Sequence, residues 1–127
     1  MEKKAIVPKN GAPANRPYSP AIVCGDLIFL SGQIPQDPAT GNLLRGDIKE
    51  QTRRALENMA GLLAEAGSGL SRVVKVTAFL ADMDDYAAFN EVYKEFFGEV
   101  PPARTCVQAA RLPFDVKVEI DAIALKG

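Results

Sequence analysis

The chain has 127 residues, of which 15 are Lys or Arg and 16 are Asp or Glu, so its formal charge at pH 7 is -1. This is the length of one ordinary domain, which we expect to span residues 1–127 and to bury a core without disulfides. The near-neutral charge gives no net positive field for nucleic acid or anionic lipid. The sequence has no histidine, which excludes Ser-His and Cys-His nucleophile pairs and histidine-based metal sites.

Cysteine usage and hydropathy predict a reduced, cytoplasmic protein. Cys24 and Cys106 are the two cysteines, too few for a disulfide framework in a chain of this size. The N-terminal region lacks the basic flank and apolar run of a secretory signal, and no apolar stretch approaches the roughly 20 residues that span a bilayer. Two distant cysteines without histidine show no recognisable ligand spacing, so we expect no metal.

The first part of the chain is predicted to form strands and loops. A short strand is expected around Ile6, and four prolines and a glycine from Pro8 to Pro20 predict an irregular loop. Ala21 to Val23 and Leu27 to Ser31 read as two antiparallel strands joined by a Gly25-Asp26 turn. These strands would begin an antiparallel sheet.

Two amphipathic helices are predicted, with a buried strand between them. Asp47 followed three residues later by Glu50 has the form of a capping box, and apolar residues then repeat at helical spacing up to Gly67. The β-branched segment from Val73 to Leu80 predicts a buried strand. Aspartates at positions 82, 84 and 85 then mark the start of a second helix, where they complement the helix dipole better than they would hold a metal.

The last part of the chain predicts two strands, from Ala103 to Ala109 and from Val116 to about Leu125. The element order is then strands, helix, strand, helix, strands. This order fits an α+β fold of two layers, in which a mixed, mainly antiparallel sheet carries both helices on one face.

Arg104 and Cys106 are the first candidate site residues. They lie two apart on a predicted strand and therefore share a face. A guanidinium beside a small polar group can bind a planar carboxylate through two parallel hydrogen bonds. The alternative is a solvated arginine on an edge strand and a cysteine that serves as a small core residue.

Glu119 is the third candidate, because it lies on the predicted last strand where charged and apolar residues alternate. If this strand neighbours that of Arg104, as short connections favour, the arginine, the thiol and the carboxylate would meet on one polar face. A carboxylate of raised pKa could then take a proton from water or pass one to a leaving amine. The alternative is a solvated carboxylate paired with Lys117 or Lys75.

A set of ordered motifs over nearly the whole chain closely resembles the reactive intermediate deaminase family, also called the endoribonuclease L-PSP family. In chain order the motifs are Pro17-Tyr18-Ser19, Ser31-Gly32-Gln33-Ile34-Pro35, Asp37-Pro38-Ala39-Thr40-Gly41, Val74-Lys75-Val76-Thr77, Asn90-Glu91-Val92-Tyr93, Pro102-Ala103-Arg104 and Val118-Glu119-Ile120. They look most similar to the 2-iminobutanoate/2-iminopropanoate deaminases. The chain departs from the family's usual loop at Arg16 and Pro20, where glycine and glutamine are usual.

The resemblance implies a chorismate-mutase-like fold that assembles as a homotrimer, with three sheets forming a central barrel and clefts between subunits. It implies that Arg104 binds the carboxylate of a 2-imino or 2-enamino acid and that Glu119 activates the hydrolytic water, giving a 2-keto acid and ammonia without a cofactor. The implied cleft residues are Tyr18, which would reach across from the neighbouring chain, and Ser31, Gly32, Asn90 and Cys106. The implied role is removal of reactive enamines made by pyridoxal-phosphate dehydratases.

Two other functions are compatible with the family resemblance. A ribonuclease or translation inhibitor is disfavoured by the charge of -1, by the lack of histidine and by the lack of a basic stripe with aromatics. A non-catalytic binder of small keto acids would need Arg104 but not Glu119. Nucleophilic catalysis by Cys106 is also disfavoured, because the sequence offers neither a histidine nor a helix N-terminus to lower the thiol pKa.

Overall fold

The computed structural model describes residues 1–8 and 16–127, and in these residues a six-stranded sheet is combined with two helices. The strands are β1 (Lys3–Ile6), β2 (Ala21–Cys24), β3 (Leu27–Gln33), β4 (Val73–Leu80), β5 (Ala103–Gln108) and β6 (Val118–Leu125), and the helices are α1 (Ile48–Glu65) and α2 (Tyr86–Phe96). Residues 9–15 of the predicted proline-rich loop lie outside the described residues. The α+β prediction is confirmed.

The sheet has the strand order β1-β2-β3-β6-β4-β5. Its neighbours are antiparallel except for β4 and β5, which run parallel and are joined through α2. The sheet is therefore mixed and mainly antiparallel, as predicted. The expectation that the strands of Arg104 and Glu119 are neighbours is wrong: the parallel crossover places β5 on the outer side of β4, and β6 returns on its inner side.

One face of the sheet is covered by the two helices, and this face forms the core. Alternate residues of β4 and β6 are completely or almost completely buried, among them Val76, Ala78 and Ile120. They pack with the apolar stripe of α1 and with Phe89 of α2 in one cluster. The intervening strand residues point to the opposite face, which neither helix covers and which we call the open face. Burial of one face therefore organises the whole sheet.

Helix α1 begins at the predicted capping box. Asp47 Oδ1 accepts a hydrogen bond from the Glu50 backbone N–H at 2.9 Å, and Glu50 Oε1 accepts one from the Asp47 N–H at 3.3 Å. The chain leaves the helix at Gly67, whose φ of +75° lies in the left-handed region that glycine adopts without a Cβ penalty. Both predicted ends of α1 are therefore confirmed by local chemistry.

Two boundaries differ from the sequence prediction. The acidic residues before α2 form a 3₁₀ turn, Met83–Asp85, in which Asp82 accepts a hydrogen bond from the Asp84 N–H at 2.9 Å, so the side-chain cap serves this turn and not α2 itself. Strand β6 begins at Val118, because Lys117 donates its backbone N–H to the Gln51 side chain at 2.8 Å. No helix in the described ranges is long and apolar enough to cross a membrane.

Asp47→Ala should lower the free energy of unfolding by about 1 kcal/mol, because the Glu50 N–H loses its capping acceptor at the start of α1. Urea denaturation at a fixed protein concentration measures the change. The matched control is Glu99→Ala, which removes an exposed carboxylate outside any cap. Equal stability of both variants would contradict a stabilising role for the capping box.

Candidate functional site

Arg104 lies on the edge strand β5, on the same side of the sheet as the helices. Its register partner on β4 is Val76, which is buried under the helices, so the arginine projects toward α2. Its Nη1 donates to Asn90 Oδ1 at 2.8 Å, and its Nη2 donates to the Tyr86 hydroxyl at 2.9 Å. One helix therefore holds both terminal nitrogens of the guanidinium.

Three aromatic rings of α2 surround the same guanidinium. The Arg104 Cζ lies 4.7 Å from the ring centroid of Tyr93, 5.4 Å from that of Phe89 and 5.6 Å from that of Tyr86. Rings at these distances attract a cation through their quadrupoles. Burial raises the pKa of Tyr93 to about 12, with the charge of Arg104 acting in the opposite direction. Tyr93 is therefore a neutral phenol at pH 7.

A groove of about 400 Å³ opens beside Arg104. It is lined by Asn90, Tyr93, Lys94, Phe97, Gly98, Pro101 and Arg104. A guanidinium has five N–H donors, and hydrogen bonds to Asn90 and Tyr86 leave the others available. In the described part of the chain Arg104 forms no ion pair, so its charge is available to an anion.

Cys106 shares the helix side of β5 with Arg104, as predicted, because it is paired with the buried Ala78. Its thiol is half-buried, and burial raises its pKa while Arg104 lowers it less strongly. A raised pKa leaves the thiol protonated at neutral pH and makes it a poor nucleophile. The position of Cys106 is compatible with lining a site and does not favour covalent chemistry.

Glu119 lies on the open face. It is paired with Phe79 on β4, while its neighbours Val118 and Ile120 point into the core. Burial raises the pKa of the Glu119 carboxyl, and the charge of Asp121 raises it further. In the described part of the chain it forms no ion pair, so the alternative pairing with Lys117 or Lys75 is not observed.

Gly32 gives Glu119 the space that it occupies. A Cβ built on Gly32 would overlap Glu119 Oε2 and would lie 2.8 Å from Cδ and 2.9 Å from Cγ. The register of β3 against β6 shifts between Leu30 and Gln33, as at a β-bulge. The bulge and the missing side chain together let the Glu119 carboxylate lie against the backbone of β3.

Ser31 connects the loop before β2, which carries Tyr18, to this region. The Ser31 hydroxyl donates to the Ser19 carbonyl at 2.7 Å, and the Ser31 N–H donates to the Pro20 carbonyl at 2.9 Å. Tyr18 is exposed, and its hydroxyl accepts a hydrogen bond from Arg16 Nη1 at 3.1 Å. The unusual residue Arg16 is therefore engaged with a predicted cleft residue.

The predicted site residues thus form two groups in one chain. Arg104, Asn90 and Cys106 lie on the helix side at the β5 edge, whereas Glu119 and Gly32 lie together at the β3–β6 junction. The expectation that arginine, thiol and carboxylate share one face of the chain is wrong, because β4 separates their strands and the pleat directs Glu119 to the other side.

The sequence interpretation missed the aromatic residues as part of the site. Tyr86, Phe89 and Tyr93 lie at positions i, i+3 and i+7 of α2, and by itself this spacing indicates only the core-facing side of an amphipathic helix. A usable signal was present: a strand–helix–strand crossover brings its helix beside the second strand, which here carries an arginine.

Comparison with known proteins places these features in a family. The family model described as Endoribonuclease L-PSP matches residues 9–126. A RutC family protein of Pyrococcus abyssi is 52% identical, covering 99% of each chain. TdcF of Escherichia coli K12, whose name describes it as a candidate reactive intermediate deaminase, is 43% identical, covering 98% of each chain. The crystal structure of E. coli TdcF with bound serine matches with a TM-score of 0.89 and 42% identity, covering 98% of this chain and 99% of that one. The chain therefore belongs to the endoribonuclease L-PSP family, which includes proteins named as reactive intermediate deaminases.

Proposed function

We propose that this protein is a deaminase that hydrolyses small 2-imino and 2-enamino acids, such as 2-iminobutanoate and 2-iminopropanoate, to 2-keto acids and ammonia. The observation that carries the proposal is Arg104, a cation without a carboxylate partner in the described chain that is held by Asn90 and Tyr86 beside a groove. Such an arginine suits the carboxylate of an imino acid. Family relatives named as deaminases support the reaction class.

We infer that the complete site forms between two chains of a homotrimer. Arg104 and Glu119 lie on opposite sides of the sheet, so one chain alone does not bring them to one ligand. One chain would supply Arg104, Asn90 and Cys106 to such a site. The neighbouring chain would supply Glu119, together with Ser31, Gly32 and Tyr18. The chorismate-mutase-like trimer implied by the family resemblance is compatible with this arrangement.

The open face supports an assembly of this kind. Phe29 points to it and is 41% exposed, and Leu27, Ile123 and Leu125 extend an apolar patch around Phe29. An exposed apolar patch of this kind usually marks an interaction surface. Packing of three open faces around a central barrel would remove these side chains from water.

The proposed reaction needs only protein groups and water. Arg104 holds the substrate carboxylate while Glu119 takes a proton from water, whose oxygen bonds to C2 as the C=N electron pair moves to nitrogen. Glu119 gives this proton to the nitrogen, and it then transfers the proton of the new hydroxyl to the same nitrogen as the C–N bond breaks, so that ammonia leaves and the keto group remains. Each proton taken by Glu119 returns to the leaving amine. No cofactor or metal takes part, and positioning supplies much of the acceleration.

In this proposal residues 1–127 act as one domain in the cytoplasm, on enamines released by pyridoxal-phosphate dehydratases. The non-catalytic alternative would not require Glu119, whose position beside Gly32 and raised pKa suit a proton acceptor. The ribonuclease alternative gains little support from the helix surface, where Lys49 and Arg53 are paired with Glu91 and Glu95. Neutralised cations of this kind offer no strong phosphate site.

Arg104→Ala and Glu119→Gln should each lower kcat/KM by about 100-fold or more, because one removes the carboxylate clamp and the other the base. The assay generates 2-iminobutanoate in situ from threonine with a dehydratase and follows the imine that semicarbazide can still trap. The uncatalysed rate is subtracted. Unchanged activity in both variants would contradict the proposed mechanism.

Refolding the two variants together tests whether the site lies between chains. If Arg104 and Glu119 come from different subunits, random mixing should restore about a quarter of the wild-type activity. Either variant can occupy each of the two positions in a site, and one of the four combinations has both Arg104 and Glu119. The control mixes Arg104→Ala with the double variant Arg104→Ala/Glu119→Gln, in which no site has the arginine. Recovery no greater than in this control would show that the two residues do not complete a site across chains.

In the pH profile of kcat/KM, the fall in activity on the acid side should occur at a higher pH than the usual pKa of a glutamate. A base acts only when deprotonated, and burial together with Asp121 raises the pKa of Glu119, so activity falls as pH drops through this raised value. Asp121→Asn removes one cause and should move this fall to lower pH. A fall that does not move in this variant would contradict the assignment of the titration to Glu119.

Phe29→Asp should convert the trimer to smaller species, because it places a charge in the apolar patch of the open face. Light scattering coupled to size-exclusion chromatography measures the mass. Phe114→Asp is the matched control, since Phe114 is an exposed aromatic on the turn before β6. The proposed interface is wrong if the Phe29 variant keeps the wild-type mass.

A further inference from the structure

The face of α2 that meets β5 carries the hydrogen-bond acceptors and the aromatic rings that contact the Arg104 guanidinium in the described part of the chain. Tyr86, Phe89, Asn90 and Tyr93 lie at positions i, i+3, i+4 and i+7, and all four contact the cation through a hydrogen bond, a ring or both. Residues at these spacings share one helix face. The orientation of Arg104 is therefore set by a single rigid element.

Tyr86 and Asn90 each accept a hydrogen bond from a different terminal nitrogen of the guanidinium. Asn90 Oδ1 accepts from Nη1 at 2.8 Å, and the Tyr86 hydroxyl accepts from Nη2 at 2.9 Å. With both terminal nitrogens held, the guanidinium plane cannot turn about its bond to Nε without losing a hydrogen bond. If one of these nitrogens is released, the guanidinium plane can rotate, and its remaining N–H donors no longer point in a fixed direction.

Both acceptors are uncharged, and this matters for binding an anion. A carboxylate at either position would hold the arginine equally well but would also neutralise it. An amide and a phenol fix the direction of the donors and leave the full positive charge for a ligand. Phe89 and Tyr93 add attraction for the cation without adding negative charge.

Tyr86 contributes little to the core, which separates it from Phe89 and Tyr93. Its side chain is 40% exposed at the first residue of α2, whereas Phe89 is fully buried. Its hydroxyl has its hydrogen bond with Arg104. We propose that Tyr86 is a positioning residue that acts through Arg104, fixing the guanidinium so that its remaining N–H donors bind the substrate carboxylate; this inference rests on the proposed function.

Tyr86→Phe tests the proposal, because it removes the hydroxyl and keeps the ring. KM for 2-iminobutanoate should rise about 3- to 10-fold, the range expected for one lost hydrogen bond of ordinary net strength, because the arginine itself is retained. The value of kcat should stay within about twofold, since carboxylate binding is shared by the ground and transition states. The melting temperature should not change, because the hydroxyl is at the surface. An unchanged KM would overturn the proposal.

The same substitution in an Arg104→Lys background shows whether the tyrosine acts through the arginine. A lysine has no planar fork, so Tyr86→Phe should cause no further rise in KM there. An equal rise in both backgrounds would overturn the proposal and indicate a direct role. The control is Asp115→Asn, which weakens the hold on another arginine, the exposed Arg111 outside the groove, and should leave KM unchanged.

Two readouts do not depend on turnover. At low temperature the Arg104 Nη signals in ¹⁵N NMR should be resolved in the wild type and should merge in Tyr86→Phe as the plane begins to turn. Titration with 2-oxobutanoate should show weaker binding to the variant. If the wild type binds the keto acid but does not hydrolyse imines, the proposed function fails and the role of Tyr86 stands. If neither protein binds it, or both bind equally, the positioning role fails.

Discussion

Burial of one face of the sheet under two helices is the constraint on which the other features depend. It fixes which residues of each strand point inward, and so it directs Arg104 and Cys106 toward α2 and Glu119 away from it. A shift of β5 or β6 by one residue would exchange these directions. The same constraint leaves the open face uncovered, and the proposed assembly follows from the apolar patch around Phe29 on that face.

The two halves of the candidate site are electrostatically unlike. Arg104 is a cation held by neutral acceptors and rings, whereas Glu119 is a carboxyl whose pKa is raised by burial and by Asp121. Each lacks a partner of opposite charge in the described part of the chain. Bringing them to one cleft would place a free positive charge near a base of moderate strength, which is the combination that hydrolysis of an anionic imine needs.

The sequence predicted the elements well because their signals are local. The capping box at Asp47, the helical spacing in α1 and the β-branched run of β4 each act within a few residues of the chain. The predicted end of an element was wrong where a tertiary contact determines it. An example is the start of β6, where the Lys117 N–H bonds to Gln51 in α1. Local patterns carry no information about such contacts.

The site was predicted less completely, for a related reason. Residue types and the family resemblance gave Arg104, Asn90 and Glu119 as candidates, but the assumption that strands close in sequence are neighbours placed Arg104 and Glu119 together wrongly. Strand order depends on the crossover through α2, which alternation within a strand does not reveal. The rings around Arg104 were missed because the aromatic residues that contact the cation lie on the same helix face as those that pack in the core, and their spacing in the sequence is the same.

The contact between Gly32 and Glu119 limits how this protein can change over time. Any side chain at position 32 would compete with the carboxylate for one space, so a substitution there acts on residue 119 although the two are far apart in the chain. A shorter acid at 119 could relieve the overlap, but it would also withdraw the carboxylate from its present position. The two positions are therefore structurally coupled, and a substitution that adds a side chain at position 32 requires the residue at 119 to move or change.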